Sequence, residues 1–468
     1  MQGSGIGATA LSTEPGIAAV SVSTGDHAAE TPLSRGLQMG WAFGSVGSTT
    51  ILYVVNVMFL YFMVSHLGIA PAIAGSIMMF ARIYDAIADL LIGYGSDRTK
   101  SRWGRRRPWM AAGTILGTMG MAALFLPPLA SGSGAVSGQI VLVLVLLFTG
   151  YSAFSIPASA MATEMTTSYQ GRTSLMACRT FFIQVAGLVG ASAAPAMVAW
   201  GGGTSTAYVV MGCVMAAVVF VSMGTAVLTT SSARETVRTD HRLPSGQQIA
   251  TLLANRPFLV LLAVKFCGYI ATAAMGAAGL FFMRDVVQRG EAGMSHYAFI
   301  SAIVGMACVP LWRWIARLGR KEHIAIGAYL MLAMTSLSWM AAGPAESDLI
   351  FWCRAALTGI ATTGGLLMAL SMLPDTIEHD FHLTGLRREG VYSALFEFFQ
   401  KAAFAIGPFI VGLFLSANGY QASAGAAVVQ GRDAIDAVRL TMSVLPALAY
   451  CASIVLLLAF YRFPRSAA

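Results

Sequence analysis

The sequence predicts an all-α integral membrane protein: twelve transmembrane helices arranged as two six-helix bundles. Three observations carry that reading: composition, the spacing of the apolar runs, and the placement of the basic residues. Charged residues make up 11% of the 468 positions and hydrophobic residues 56%, against about 25% charged in an average soluble domain, which excludes an ordinary soluble enzyme. Mean hydropathy is +0.70. A span takes about 20 predominantly apolar residues, so the hydrophobic content fills roughly a dozen.

The runs themselves fall at 38–64, 70–96, 108–130, 138–163, 174–200 and 206–229, then at 258–283, 296–316, 322–343, 348–373, 390–416 and 437–461. Residues 1–37 are rich in Ser, Gly, Thr and Ala and lack the basic-then-apolar order of a cleavable signal. They read as a disordered cytoplasmic tail, and 464–468 as a short cytoplasmic end. Between the sixth and seventh runs, 230–257 is the longest charged stretch joining two apolar blocks, so it is the expected cytoplasmic linker between bundles 38–229 and 258–463.

Basic residues alternate by connector. Arg98, Lys100, Arg102, Arg105, Arg106 and Arg107 follow the second run, and Arg172, Arg234, Arg238, Arg242, Arg256, Arg317, Arg320, Lys321, Arg387 and Arg388 fall in connectors of the same parity. The opposite parity holds Arg284, Arg289 and Arg432. By the positive-inside rule both termini are cytoplasmic in the cell's inner (plasma) membrane. The net charge of +8 is then topological, with no nucleic-acid partner. A Gly-basic-basic turn recurs at equivalent connectors, Gly104-Arg105-Arg106 and Gly319-Arg320-Lys321, as expected of parallel repeats. The cysteines Cys178, Cys213, Cys267, Cys308, Cys353 and Cys451 stand singly in apolar stretches, so neither disulfides nor zinc are expected.

Charges inside the runs hold most of the functional signal. Arg82, Asp85 and Asp89 sit at i, i+3 and i+7 of the second run, on one helix face. Each costs about 2.5–3.5 kcal/mol at a span centre, so the trio demands water or counter-charge. Arg82 could pair with Asp85, but Asp89 would remain. Two carboxylates one turn apart share a cation or hold one proton between them. In the eleventh run Glu397 and Lys401 are four residues apart. Lys401 either faces Asp85 and Asp89 across a central cavity or pairs with Glu397 along its own helix. Arg179, Lys265 and Arg354 lie near enough to run ends to snorkel.

The stretch Asp85-Ala86-Ile87-Ala88-Asp89, continued by Gly93, Asp97-Arg98 and Ser101-Arg102-Trp103-Gly104-Arg105-Arg106-Arg107-Pro108-Trp109, resembles the signature of the glycoside–pentoside–hexuronide:cation symporters of the major facilitator superfamily. Pro157, Glu164 and Arg172, and the segment from Asp375 to Lys401, resemble further family features, the last being its loop between spans ten and eleven. The resemblance covers 38–463. It implies the two-bundle major facilitator fold and cation-coupled symport of a small organic solute by alternating access. Asp85 and Asp89 would be the ligands of a monovalent cation, H+ or Na+, a metal site only if the ion is Na+. Lys401 would be the charged partner, with Glu397, Arg82, Arg179, Ser45, Ser155, Tyr151 and Tyr53 as substrate or coupling residues. Asp97, Arg98, Arg102, Gly104, Arg105, Arg106, Glu164 and Arg172 would form a cytoplasmic gate. No cofactor is expected, and the protein should work as a monomer in the lipid bilayer.

Departures from the pattern bear on the solute. Sugar permeases of this group carry an acid where Ser45 stands and an aspartate where Ser155 precedes Ile156-Pro157, so tight binding of a simple hexoside loses two bidentate acceptors. Sodium-using members place a neutral oxygen beside the second aspartate, and Ala88 offers none; a proton needs one carboxylate, unless Ser152 supplies the missing oxygen. The alternative solute is an amphipathic, lysolipid-like molecule on the same fold. A membrane enzyme is disfavoured, since the chain has no H-E-x-x-H, G-x-S-x-G or P-loop motif; His379 and His382 fall in the expected loop before the eleventh run. A channel is disfavoured because one asymmetric charge cluster suits a gated single-solute site better than a filter ring.

Overall fold

The computed structural model describes residues 33–129, 132–166, 169–232, 255–384, 389–425 and 428–461. The expected tail at 1–32, most of the expected linker and residues 462–468 lie outside them. The first half is built from α1 (Arg35–Ser65), α2 (Pro71–Arg98), α3 (Arg107–Ala123), α4 (Ser133–Met165), α5 (Tyr169–Gly187, continued through a π turn to Trp200) and α6 (Ser205–Thr229). The second comprises α7 (Arg256–Val286), α8 (Gly290–Ala307 bent by 47° into Val309–Ile315), α9 (Lys321–Ser338), α10 (Asp348–Thr384), α11 (Glu389–Ala417) and α12 (Arg432–Phe460).

Starts follow from local chemistry. Ser34, Thr204 and Asn255 cap α1, α6 and α7 through side-chain oxygens that accept from backbone N–H groups three residues on. Pro71, Pro108 and Pro257 lie in first turns, where a missing N–H costs nothing. Among the described residues nine helices are long and apolar enough to cross a membrane, ten if the bent α8 is one span. Two more helices accompany them: α2, whose five charges (Arg82, Asp85, Asp89, Asp97 and Arg98) dilute its apolarity, and α3, which at 17 residues stops short of the run expected to reach 130. The other substantial difference is at α10. Residues 375–384, expected in a loop, continue the helix past Pro374, because nothing between Asp375 and Thr384 is Gly or Pro. His379 and His382 are therefore helical.

Contacts between the halves gather at the end away from the Gly104 turn. α2 crosses α11 with its backbone against the other's: a Cβ on Gly412 would fall on the carbonyl of Pro71, and one on Gly75 would lie 3.0 Å from Pro408 O. Small residues at such crossings let helices approach closely. α5 meets α8 through Ser192 Oγ, which donates to Ser295 O at 3.1 Å. On α7, Arg284 donates to the hydroxyl of Tyr61 on α1, and Phe281 packs edge-on to the same ring. The segment after α11 reaches back as well, with Ser423 and Gly425 N–H donating to the carbonyls of Val64 and Ser65 at 3.0 Å. His66 sits here, stacked on Phe62 and tilted against Tyr208, with its Nδ1 3.2 Å from Ser205 Oγ. Burial, and secondarily the charge of Arg284, push its pKa below 6.5.

Candidate functional site

Two helices from opposite halves bring the central charges together. Asp85, fully buried on α2, accepts from Ser152 Oγ of α4 at 3.0 Å through Oδ1 and from Lys401 Nζ of α11 at 3.0 Å through Oδ2. The same ammonium donates to Asp89 Oδ2 and lies 5.5 Å from the centre of the Tyr151 ring. Asp89 Oδ1 is buried with no hydrogen-bond partner among the described residues. One lysine thus bridges two carboxylates one turn apart, in surroundings too dry for either sign to stand alone. A cation taking its place would find both Asp89 oxygens, Asp85 Oδ2 and the Ser152 hydroxyl.

Around this cluster the sequence-derived residues divide. Arg82 is buried but makes no ion pair among the described residues; its guanidinium lies 4.9 Å from the Phe148 ring centre. The helical spacing that places it on the face of Asp85 does not turn its head toward the carboxylate. Glu397 is exposed one turn before Lys401 and is not bonded to it, so of the two arrangements open to Lys401 the structure contains the interhelical one. Ser45 and Ser155 are half-buried, as is Arg179. Tyr53 packs against α5 at Gly187 and Gly190. Arg354 is held near the start of α10 by Glu346, at 2.5 Å. Lys265 does not snorkel: it is 6% exposed, because α7 begins nine residues earlier and the stem cannot span the intervening ~13 Å.

A second cluster lies at the turn between α2 and α3. Gly104 has φ +86°, a conformation other residues adopt at a cost, and this turn folds the arginines back under α4. Glu164 accepts from Arg105 and Arg106, each at 3.1 Å. Arg106 also binds Asp97 at 2.5 Å and donates to Ser96 Oγ at 2.8 Å. Arg98 stacks on Tyr94 at 3.6 Å, and Arg102 is exposed. Arg172 lies on α5, its side chain outside the described residues. The second half repeats the plan: Lys321, at the start of α9, binds Asp375 of α10 at 2.6 Å. The helix-three base and helix-four acid therefore pair in both halves, a correspondence the Gly-basic-basic echo marks on one side only. Ser152 and Asp375 gave weaker signals: a serine within an apolar run, and an acid that read as loop.

A family model described as MFS/sugar transport protein matches residues 40–465. The chain belongs to this family, the glycoside–pentoside–hexuronide:cation type of the major facilitator superfamily. Similar proteins include a glucuronide carrier protein homolog of Escherichia coli, 28% identical over 87% of this chain and 88% of its own. An isoprimeverose transporter of Lactiplantibacillus pentosus is 24% identical over 87% and 85%. Among solved structures, one of the proton-dependent oligopeptide transporters superposes with TM-score 0.65 at 12% identity, covering 90% of this chain and 97% of that one, a likeness of fold. This MFS sugar-transport family member is a multi-pass membrane transporter and not an enzyme.

Proposed function

We propose that this chain is a cation-coupled symporter that carries a glycoside-like organic solute by alternating access. Twelve spans form two bundles of six, both termini and the Gly104 turn face the cytoplasm, and the arrangement described is closed on the outer side. The observation that carries the reading is the bridge from Lys401 to Asp85 and Asp89. These carboxylates belong to one half and the ammonium to the other, so a cation that displaces Lys401 unties the halves, and occupancy becomes linked to conformation. Ser152 adds one neutral oxygen and Ala88 none, which favours a proton over Na+ as the coupling ion. The relatives named for glucuronide and isoprimeverose support a sugar derivative as cargo.

The test is uptake into vesicles energised in turn by a sodium or a proton gradient, with aryl glycosides and lysolipids offered in parallel. Concentration of a glycoside under one of the two gradients is the expected result. Equilibration without accumulation under either would refute coupling, and accumulation of lysolipid alone would replace the cargo.

A further inference from the structure

A basic side chain on the inner face of the second half has no partner. Lys265, 6% exposed, makes no ion pair or hydrogen bond among the described residues, and its ammonium lies 4.8 Å from the ring centre of Tyr269. Glu397, on the adjacent α11, is not bonded to it. The direction Lys265 takes follows from helical spacing. Lys265, Tyr269, Thr272 and Gly276 fall at i, i+4, i+7 and i+11, one face of α7, and Gly276 is where that face meets the first half: a Cβ there would strike Asn56 of α1. Thr272 on the same face is exposed. The stripe thus meets the first half at Gly276, about 16 Å from Lys265, while nearer to Lys265 the Tyr269 ring packs against Phe396 and Phe404 of α11. Asp89 lies nine residues from the end of α2 as Lys265 does from the start of α7, so both stand at a depth of about 13 Å.

An ammonium taken out of water costs several kcal/mol unless a counter-charge meets it, and no acid among the described residues pairs with Lys265. Asp85 and Asp89 are bound to Lys401. Arg82 and Arg179 likewise form no ion pair among the described residues, and Glu397, the acid nearest Tyr269, is exposed and unbonded to Lys265. A solute that brought an anion would complete the pairing; a neutral one would leave it open.

Resting on the transporter reading, we infer that Lys265 is a specificity-determining residue that receives an anionic oxygen group of the solute. Tyr269 holds the ammonium from below through its π face until that group arrives. An acidic sugar and a lysolipid phosphate share this chemistry, and two matched series separate them. Binding to the full-length protein in lipid nanodiscs is measured by calorimetry. The probes are 4-nitrophenyl β-glucuronide against 4-nitrophenyl β-glucoside, and lysophosphatidic acid against the corresponding monoacylglycerol.

In the series that binds, the acid should bind at least tenfold tighter than its neutral twin. Lys265→Met should erase that preference while leaving the neutral twin within twofold, and Lys265→Arg should retain it. Lys265→Met should not lower the melting temperature, since it removes an uncompensated buried charge. Equal binding of acid and neutral probes, a preference that survives Lys265→Met, or binding by neither series would overturn the assignment. Glycoside binding without charge preference defeats Lys265 alone, whereas a Lys265-dependent preference confined to the lysolipids keeps Lys265 and removes the glycoside reading.

Discussion

Two ion clusters on α2 use the same residue types in opposite ways. Near mid-helix, Asp85 and Asp89 reach across to Lys401 of the other half. At the helix end, Asp97 joins Arg106, which with Arg105 binds Glu164, all within the first half. On the proposed alternating-access reading, a pair inside one half would survive a movement of the halves, whereas a pair across them would break and reform each time they part. On that reading the mid-helix cluster would be built for change and the Gly104-turn cluster for permanence. Burial agrees, since Asp85 is wholly enclosed while the side chain of Asp97 is 60% exposed.

The comparison can be broken most severely at the mid-helix cluster. Asp89→Asn, and equally Asp85→Asn, should abolish gradient-driven accumulation in vesicles while the protein still inserts and folds; accumulation at the wild-type level would remove the coupling assignment. Lys401→Ala strips the carboxylates of their counter-charge and should cost about 3 kcal/mol of stability, seen as a lower melting temperature that Asp89→Asn partly restores in the double variant. Failure of the second change to restore it would mean the two residues do not act as a pair.

At the Gly104-turn cluster, Glu164→Gln should cost about 2 kcal/mol and slow transport several-fold without altering the ion dependence. A shift in ion dependence would show that the clusters are coupled. A third region adds a pH term. Burial keeps the His66 imidazole less basic than in the unfolded chain, so the folded state binds fewer protons there. Stability is full above the ordinary value of 6.5 and is lost as pH falls through the lowered one. Melting curves between pH 8 and 5 should show a drop of a few degrees that His66→Phe removes; an unchanged slope would rule His66 out as its source. Smallest of all, Lys321→Ala should change stability by less than about 0.5 kcal/mol, because Lys321 and Asp375 are 41% and 36% exposed. A loss as large as that of Glu164→Gln would make the two halves energetically equivalent.

Much of this was legible in the residues. Apolar length places most of the helices, although α3 ends at Ala123 and α10 runs on to Thr384, and the i, i+3, i+7 spacing puts Asp85 and Asp89 on one face. Whether Lys401 turned to Glu397 or to the aspartates was open, since intrahelical spacing is visible in a sequence and a partner 312 positions away is not. Lys265 misled for a related reason. Its distance from the end of an apolar run depends on where the helix starts, and Arg256-Pro257 begin the helix within what reads as the last of the linker. Residues 375–384 read as loop because charge there marks the edge of the apolar layer, not the end of the helix.

The bare crossing of Gly75 and Gly412 gives the mid-helix cluster its leverage. With no side chains between them, the two backbones would, on the proposed alternating-access reading, rock about that point as about a fulcrum. Lys401 lies eleven residues from Gly412, about 16 Å along the helix, so a tilt of about 10° would swing its ammonium by roughly 3 Å. A displacement of that size at the lysine doubles the reach asked of a salt link, which on the proposed mechanism would set the ammonium adrift and hand the aspartate oxygens to an arriving ion.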